Sequence, residues 1–448
     1  MSDSDTLTGR MKRYARVGGT VGGMAAKFAG GRLFGTDASR EGYAADLADA
    51  LGGLKGPLMK VAQILATIPD ALPEEFTREL ARLQANAPPM GWMFVKRRMT
   101  GELGPDWRQN FADFGHEAAS AASLGQVHRA TAPDGTPLAV KLQYPDMASA
   151  VEADLKQLKL VFSVYRRYDR AIDPSLIHAE LSARLREELD YDREARNMRL
   201  YGHMLAGEAG VSVPEPVAGL TTPRLLTMNW LAGEPILTFK DASLEERNRL
   251  AHNLFRAWYV PFYYYGIIHG DPHLGNYTVR EDQGVNLLDF GCVRVFRPAF
   301  VGGVIDLYKA LRDDDPDLAV QAYETWGFRG LSKDVIAVLN QWARFLYGPI
   351  LQDKVQSISG DKGTAFGAQV AGKVRKELNA LGGVTVPREF VLMDRAAIGL
   401  GSFFTHLNAE VNWYQLFHDL VGDFDVAKLA ERQSELVSSE GLKVEDLH

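Results

Sequence analysis

Apolar positions recur at three- and four-residue spacing from about residue 42 to 110, most clearly over 43–54 and 58–65. That period predicts helices. Pro69, Pro73 and Pro88-Pro89 punctuate them, and Pro73-Glu74-Glu75 reads as a helix start with acids in the first turn. Over 111–145 the texture changes to short β runs. Arg129-Ala130-Thr131 and Leu138-Ala139-Val140-Lys141-Leu142 flank a turn signal at Asp134-Gly135, and a small-residue loop over 118–128 precedes them. Mixed-charge patterns then predict long helices over 148–168 and 174–205. Two further strands follow at 211–217 and 223–230, then an apolar, aromatic-rich helix over 244–267. Beyond Cys292 the pattern is helical to about 430, with 360–363 the one plain loop. Predicted helices together with clusters of short strands read as an α+β chain.

One stretch carries obvious chemistry: His269-Gly270-Asp271-Pro272-His273-Leu274-Gly275-Asn276, followed by Leu287-Leu288-Asp289-Phe290-Gly291. Tyr277-Thr278-Val279 and Val285-Asn286-Leu287-Leu288 read as two strands of a hairpin around Glu281-Asp282-Gln283-Gly284. That hairpin would gather Asp271, Asn276 and Asp289 at one end. Oxygen donors so clustered suit Mg²⁺ and, through it, a nucleoside triphosphate. Asp-x4-Asn followed by Asp-Phe-Gly is also the spacing of the kinase catalytic loop and its metal-binding aspartate.

Further candidates lie upstream. Lys141, in a strand context resembling Val-Ala-Ile-Lys, is the candidate for the α/β-phosphates. The loop before it holds only Gly125, so it is not an ordinary Gly-rich phosphate flap. A kinase-like site needs a helix glutamate to pair with that lysine, and Glu188 and Glu194 both qualify. The junction after 223–230 is where a hinge between two lobes would fall, with Thr227, Met228 and Trp230 near an adenine pocket. Lys60 and Gln63 share one helix face three residues apart; beside a nucleotide they would be functional, and facing solvent they would mean nothing.

Composition narrows the classes. A net charge of −7 argues against nucleic-acid binding, which needs a basic footprint. The single cysteine, Cys292, excludes internal disulfides and thiolate zinc sites and fits a reducing compartment. No apolar run of about 18 residues predicts a spanning helix. Residues 10–33 break the acidity: Arg10, Lys12, Arg13, Arg16, Lys27 and Arg32 flank a Gly/Ala-rich segment. Such a leader could make peripheral contact with an anionic membrane, or form an arm packed on its own protein. The expected localisation is cytoplasmic, with any membrane contact peripheral at the inner face of the plasma membrane.

Taken in order, these motifs resemble the UbiB family, also called the AarF or ADCK family of atypical protein-kinase-like proteins. Its Lys-x-Gly-Gln motif corresponds to Lys60-Val61-Ala62-Gln63, with Ala62 where the family has Gly. Its Ala-rich loop corresponds to Ser120-Ala121-Ala122-Ser123-Leu124-Gly125-Gln126-Val127-His128, with Ser120 replacing the first alanine. The Glu-x-Asp motif falls on Glu188-Leu189-Asp190 and the lysine-pairing glutamate on Glu194. The likeness runs from about residue 9 to 415, including Pro387-Arg388-Glu389 and Gly399-Leu400-Gly401.

The resemblance implies a two-lobe kinase-like fold, with a helical extension laid over the usual substrate cleft. Its expected layout is an arm over 1–40, the extension over 41–110, an N-lobe over 111–232, a helical C-lobe over 233–430 and a tail over 431–448. It implies binding of ATP or ADP with Mg²⁺ and slow ATPase activity, with trans phosphorylation of proteins disfavoured by the Lys-x-Gly-Gln and Glu-x-Asp motifs. Asp271, Lys141 and Glu194 are then the catalytic set, and Asn276 and Asp289 the metal ligands. The nucleotide lies against Ala121, Ala122, Ser123, Gly125, Gln126, Lys141, Met228, Lys60, Gln63, Glu188 and Asp190. The implied partners are prenyl lipids, quinone intermediates and quinone-biosynthesis enzymes. Two other readings stay open: a small-molecule kinase of the aminoglycoside or choline type, where His-Gly-Asp-x4-Asn also occurs, and a nucleotide-gated scaffold for lipid-biosynthesis enzymes.

Overall fold

The computed structural model describes residues 90–441 except 123, 166–173, 272, 359–362, 383 and 385–386. The N-terminal arm, most of the helical extension with Lys60 and Gln63, and Ser123 lie outside the described residues. The chain divides into two compact units. One comprises residues up to Arg193 with Val217–Met228, the other Glu194–Pro216 with Asn229–His448.

The first unit is built on a sheet. Helix α1 (Trp92–Leu103) turns Val95 and Met99, four residues apart, into a core with Trp107, Phe111, Leu138, Val140 and Leu142. Strands β1 (Asp113–Ala122), β2 (Gly125–Thr131) and β3 (Pro137–Gln143) are antiparallel neighbours in that order. The turn predicted at Asp134-Gly135 joins β2 to β3: Gly135 has φ +91° and the Asp134 carboxylate accepts the Thr136 N–H at 2.9 Å.

The Ala-rich stretch departs from the expected loop. It is strand as far as Ala122, which pairs with Gly125, and the ladder shifts register between Phe114 and Ala118 and again between Ala118 and Ser120. Alanines give no in–out contrast to betray a strand. Pairing with β2 nevertheless satisfies main-chain groups that a loop would leave to solvent.

Helices α2 (Met147–Tyr165) and α3 (Pro174–Glu187) follow. The single helix expected over 174–205 is broken: α3 ends at Glu187 and α4 runs Tyr191–Met204, leaving Glu188-Leu189-Asp190 as the turn between them. Bonds from distant segments hold the break open. The Gln143 side chain donates to the carbonyls of Leu189 at 2.7 Å and Pro223 at 3.2 Å. Tyr191 N–H also donates to Pro223, at 3.2 Å. The Asp190 carboxylate caps α4 by accepting the Arg193 N–H at 3.0 Å.

The second unit contains β4 (Val211–Ser212), while β5 (Leu225–Asn229) returns to complete the first sheet beside β3. After β6 (Glu234–Pro235) comes the aromatic helix α5 (Leu244–Tyr265), opened by a reciprocal capping box between Ser243 and Glu246. Its apolar stripe, including Leu250, Leu254, Trp258 and Phe262, is buried. The helix closes at Gly266, φ +64°, where a Cβ would lie 2.6 Å from Gln433 Nε2 and 2.9 Å from the Phe296 carbonyl. Only glycine fits that turn, which delivers the chain into the functional stretch.

Strand β7 (Ile267–His269) follows, then the hairpin β8 (Tyr277–Val279) and β9 (Val285–Leu287), paired as the sequence predicts with Gln283 at φ +63°. These two join β4 and β6 in the order β4-β9-β8-β6, and β7 pairs with β10 (Val293–Val295).

Helices α6 (Pro298–Asp313), α7 (Pro316–Thr325), α8 (Lys333–Tyr347), α9 (Gly363–Ala380), α10 (Arg388–Leu407), α11 (Trp413–Val421) and α12 (Val426–Ser439) complete the unit. The boundary expected at 430 falls inside α12, whose Leu429, Gln433, Leu436 and Val437 are buried. Gln433 donates to the carbonyls of Tyr265 at 2.7 Å and Phe296 at 3.0 Å, bracing the end of α5. Among the described residues no helix is long and apolar enough to cross a membrane.

Candidate functional site

The candidate residues fall in both units. In the first, β3 alternates: Leu138, Val140 and Leu142 face the core, which puts Lys141 and Gln143 on the opposite face. Lys141 is nevertheless buried, opposite Val127 in the ladder. Ala122 and Gly125 close the β1–β2 hairpin, with the Leu124 carbonyl accepting the Tyr144 N–H at 3.1 Å. At Gly125 a Cβ would lie 2.1 Å from the Leu142 carbonyl oxygen, so the two strands meet there only through glycine.

Gln126, expected at the nucleotide, has its side chain held by the chain at Met90 and by His128. It is buried; its Oε1 accepts the Met90 N–H at 2.5 Å, and its Nε2 donates to the Met90 carbonyl at 3.3 Å and lies 2.7 Å from His128 Nε2. His128 Nδ1 in turn lies 2.8 Å from the Gly115 carbonyl. The hydrogens are therefore ordered: Nδ1 carries one toward Gly115 and Nε2 accepts from Gln126. Burial holds the His128 pKa below its ordinary value, in keeping with that neutral ring. The motif's glutamine and histidine thus clamp the chain entering at Met90. Asp190, also expected at the nucleotide, caps α4 with one of its oxygens. Glu188 is half-buried in the turn before it, Ala121 is exposed, and Met228 is buried on β5.

The second unit gathers the acidic residues. Asn276 Nδ2 donates to Asp271 Oδ2 at 3.4 Å, and the Asn276 carbonyl accepts the Leu288 N–H at 3.0 Å, next to Asp289. Asp289 Oδ1 accepts the Gly291 N–H at 3.0 Å, and the Gly270 N–H donates to the Cys292 carbonyl at 2.6 Å. His269 links the two loops. Its Nδ1 accepts the Asp271 N–H at 3.4 Å, so its Nε2 carries the hydrogen donated to the Asp289 carbonyl.

His269 is buried, with its ring 6.0 Å from Tyr201, 5.8 Å from Trp258 and 5.8 Å from Phe290, centroid to centroid. Beneath it the Tyr277 hydroxyl accepts from Trp258 Nε1 at 2.8 Å. Burial pushes the Tyr277 phenol well up, and the charges of Asp271 and Asp289 add to the push.

Glu194 is buried on α4. Three residues on, Asn197 Nδ2 donates to the Phe290 carbonyl at 2.9 Å, and four further the Tyr201 ring lies 5.1 Å from that of Phe290. Sequence reasoning missed Asn197 and Tyr201. The i, i+3, i+7 spacing from Glu194 would have placed all three on one helix face.

Two carboxylates and an amide carbonyl are the hard oxygen donors that Mg²⁺ takes, and that ion commonly binds one or two carboxylates and fills its shell with phosphate oxygens and water. Among the described residues no group of three or more His, Cys, Asp or Glu is placed to hold a metal by itself. Asp271, Asn276 and Asp289 fit a cation that arrives with a nucleotide.

Comparison with known proteins bears on the family and the fold. The description "ABC1 atypical kinase-like domain" matches residues 82–323, more than half of the chain and all of the motifs from the Ala-rich stretch to Asp289. The chain is 30% identical over 289 residues to "Atypical kinase coq-8, mitochondrial" of Caenorhabditis elegans, covering 61% of this chain and 37% of that protein. It is 29% identical over 264 residues to "Atypical kinase COQ8, mitochondrial" of Saccharomyces cerevisiae, covering 58% of this chain and 53% of that one. The matched stretch thus spans about a third to a half of these curated relatives. Among solved structures, Rv3197 of Mycobacterium tuberculosis, in complex with erythromycin, matches with a TM-score of 0.60 and 27% identity over 90% of this chain and 97% of that one. The kinase-like α+β fold, the ordered motifs and the matched domain agree: the chain belongs to the ABC1 atypical kinase-like family, as its resemblance to the UbiB proteins implies.

Proposed function

We propose that the protein binds ATP with Mg²⁺ and acts chiefly as an ATPase, in support of ubiquinone (prenylquinone) biosynthesis or lipid handling. The observation that carries this reading is the linkage of Asp271, Asn276 and Asp289 through His269, which holds two carboxylate-bearing loops in one register. Asn276 and Asp289 are assigned to the cation, which when bound neutralises phosphate charge. Lys141 is assigned to the α- and β-phosphates and Glu194 to orienting that lysine. Asp271 orients the attacking water or hydroxyl and accepts its proton. The main chain at Ala121, Ala122, Ser123, Gly125 and Gln126, with Met228, completes the nucleotide contacts. Lys60, Gln63, Glu188 and Asp190 roof the pocket and disfavour a protein substrate. Residues 10–33 are assigned peripheral contact with anionic lipid.

The test is ADP release from Mg-ATP by the full chain, with and without anionic liposomes carrying a prenylquinone precursor. Turnover that is lost in Asp271→Asn, with nucleotide affinity kept, supports the assignment. Equal turnover in the variant sinks it. A second reading follows from the erythromycin complex of Rv3197, whose fold spans nearly this whole chain: a macrolide-sized hydrophobic molecule is the ligand or phosphoryl acceptor. Macrolide-dependent ADP release, with no response to lipid, would favour it.

A further inference from the structure

A lysine on the face of β3 away from the apolar core would ordinarily reach water. Lys141 is instead only 8% exposed, and its ammonium lies 5.3 Å from the centroid of the Tyr191 ring. Tyr191, 2% exposed, is the first residue of α4 and directly follows Glu188-Leu189-Asp190. Its position is fixed from several sides: its own N–H and the Gln143 side chain both donate to the Pro223 carbonyl, Gln143 also holds Leu189, and Asp190 caps the helix. The phenol oxygen abuts Gly125, where an added Cβ would lie 3.1 Å from it. One side chain therefore touches the lysine and the glycine of the Ala-rich turn, and belongs to the Glu-x-Asp turn.

We propose that Tyr191, in addition to Glu194, is a positioning residue for Lys141. The inference rests on reading Lys141 as the phosphate lysine. An aromatic face attracts an ammonium through its quadrupole and does not itself neutralise it. The attraction is largest where water is excluded, as it is here. The hydroxyl end lies against Gly125 of the Ala-rich hairpin. The Glu-x-Asp turn thereby acts on the lysine: moving that turn moves Tyr191, and with it the phosphate-binding charge.

Reductive methylation of the full-length protein with ¹³C-formaldehyde, followed by NMR, tests this. The Lys141 methyl resonance, identified by its absence in Lys141→Arg, is expected upfield of the other lysines because of the ring current. That shift should persist in Tyr191→Phe and vanish in Tyr191→Leu. Mg-ATP affinity should fall about tenfold in Tyr191→Leu, the effect of a desolvated cation–π contact, and stay close to wild type in Tyr191→Phe. An unshifted Lys141 resonance in the wild type, or full affinity in a folded Tyr191→Leu, overturns the proposal. If Lys141→Ala binds Mg-ATP like wild type while the upfield resonance is present, the phosphate assignment of Lys141 has failed rather than the contact with Tyr191.

Discussion

The first unit builds itself out of its motif residues, whereas the second builds a support behind them. Around β3, Gln126 clamps Met90, Gln143 holds the turn at Leu189, and Asp190 caps α4. In the second unit Asp271 and Asp289 are half-buried on loops, and buried His269 and Asn197, packed among Tyr201, Trp258 and Phe290, hold the main chain beneath them. A buried carboxamide carries both donors and an acceptor, so an interior can employ it wherever two main-chain segments meet. A buried carboxylate offers only acceptors and costs far more to desolvate. A glutamine in a motif is thus poor evidence for a ligand, and an aspartate on a braced loop is better evidence.

Each way of breaking this contrast has its own signature. The largest concerns the second unit at high pH. Tyr201, Tyr263, Tyr277 and Tyr347 all have phenols pushed well above 10 by burial, so the folded state keeps protons that the unfolded state releases. These phenols should leave stability unchanged just below about pH 10 and lower it above by about 1.4 kcal/mol per pH unit for each phenol. Urea unfolding at pH 9, 10.5 and 11.5 measures the slope, and a flat profile would mean that these rings reach solvent.

Next in size is Gly125→Ala, whose Cβ would meet the Leu142 carbonyl at 2.1 Å. It should destabilise the protein by about 3 kcal/mol or more. Gly202→Ala, within α4 and with nothing inside 4 Å, should instead be neutral or add about 0.5–1 kcal/mol. Thermal melts of the pair separate close approach from a general intolerance of alanine.

Gln126→Leu leaves the Met90 N–H and C=O unsatisfied and should cost about 1–3 kcal/mol, with Mg-ATP affinity unchanged in the folded fraction. A selective loss of affinity would mean that the Gln126 side chain itself serves the nucleotide. The smallest effect is at acid pH. The His128 pKa is lowered from 6.5, so the unfolded state takes up the proton first, and stability should decline as pH falls below about 6.5. His128→Gln should flatten that decline.

What was legible in the sequence follows the same division. The β8–β9 hairpin and the Asp134-Gly135 turn were readable because turn residues separate apolar runs of period two. Asp271 and Asn276 were readable as a pair because five residues of chain can bring them together unaided. The strand character of Ala118–Ala122 was hidden because alanine carries no in–out contrast. The break at Leu189 was hidden because its donor, Gln143, lies 46 residues upstream and its other anchor, Pro223, 80 residues from that donor. Gln126, Tyr191 and Asn197 took their roles from contacts that no local pattern encodes.

The central proposal is that Lys141 and Asp289 are each needed to bind a magnesium nucleotide. Calorimetric titration of Mg-ATP into wild type, Lys141→Ala and Asp289→Asn, each checked for an unchanged melt, tests it most directly. The account predicts at least a tenfold loss of affinity in each variant, the effect of removing one charge-assisted contact to phosphate or cation. Wild-type affinity in both variants would contradict it.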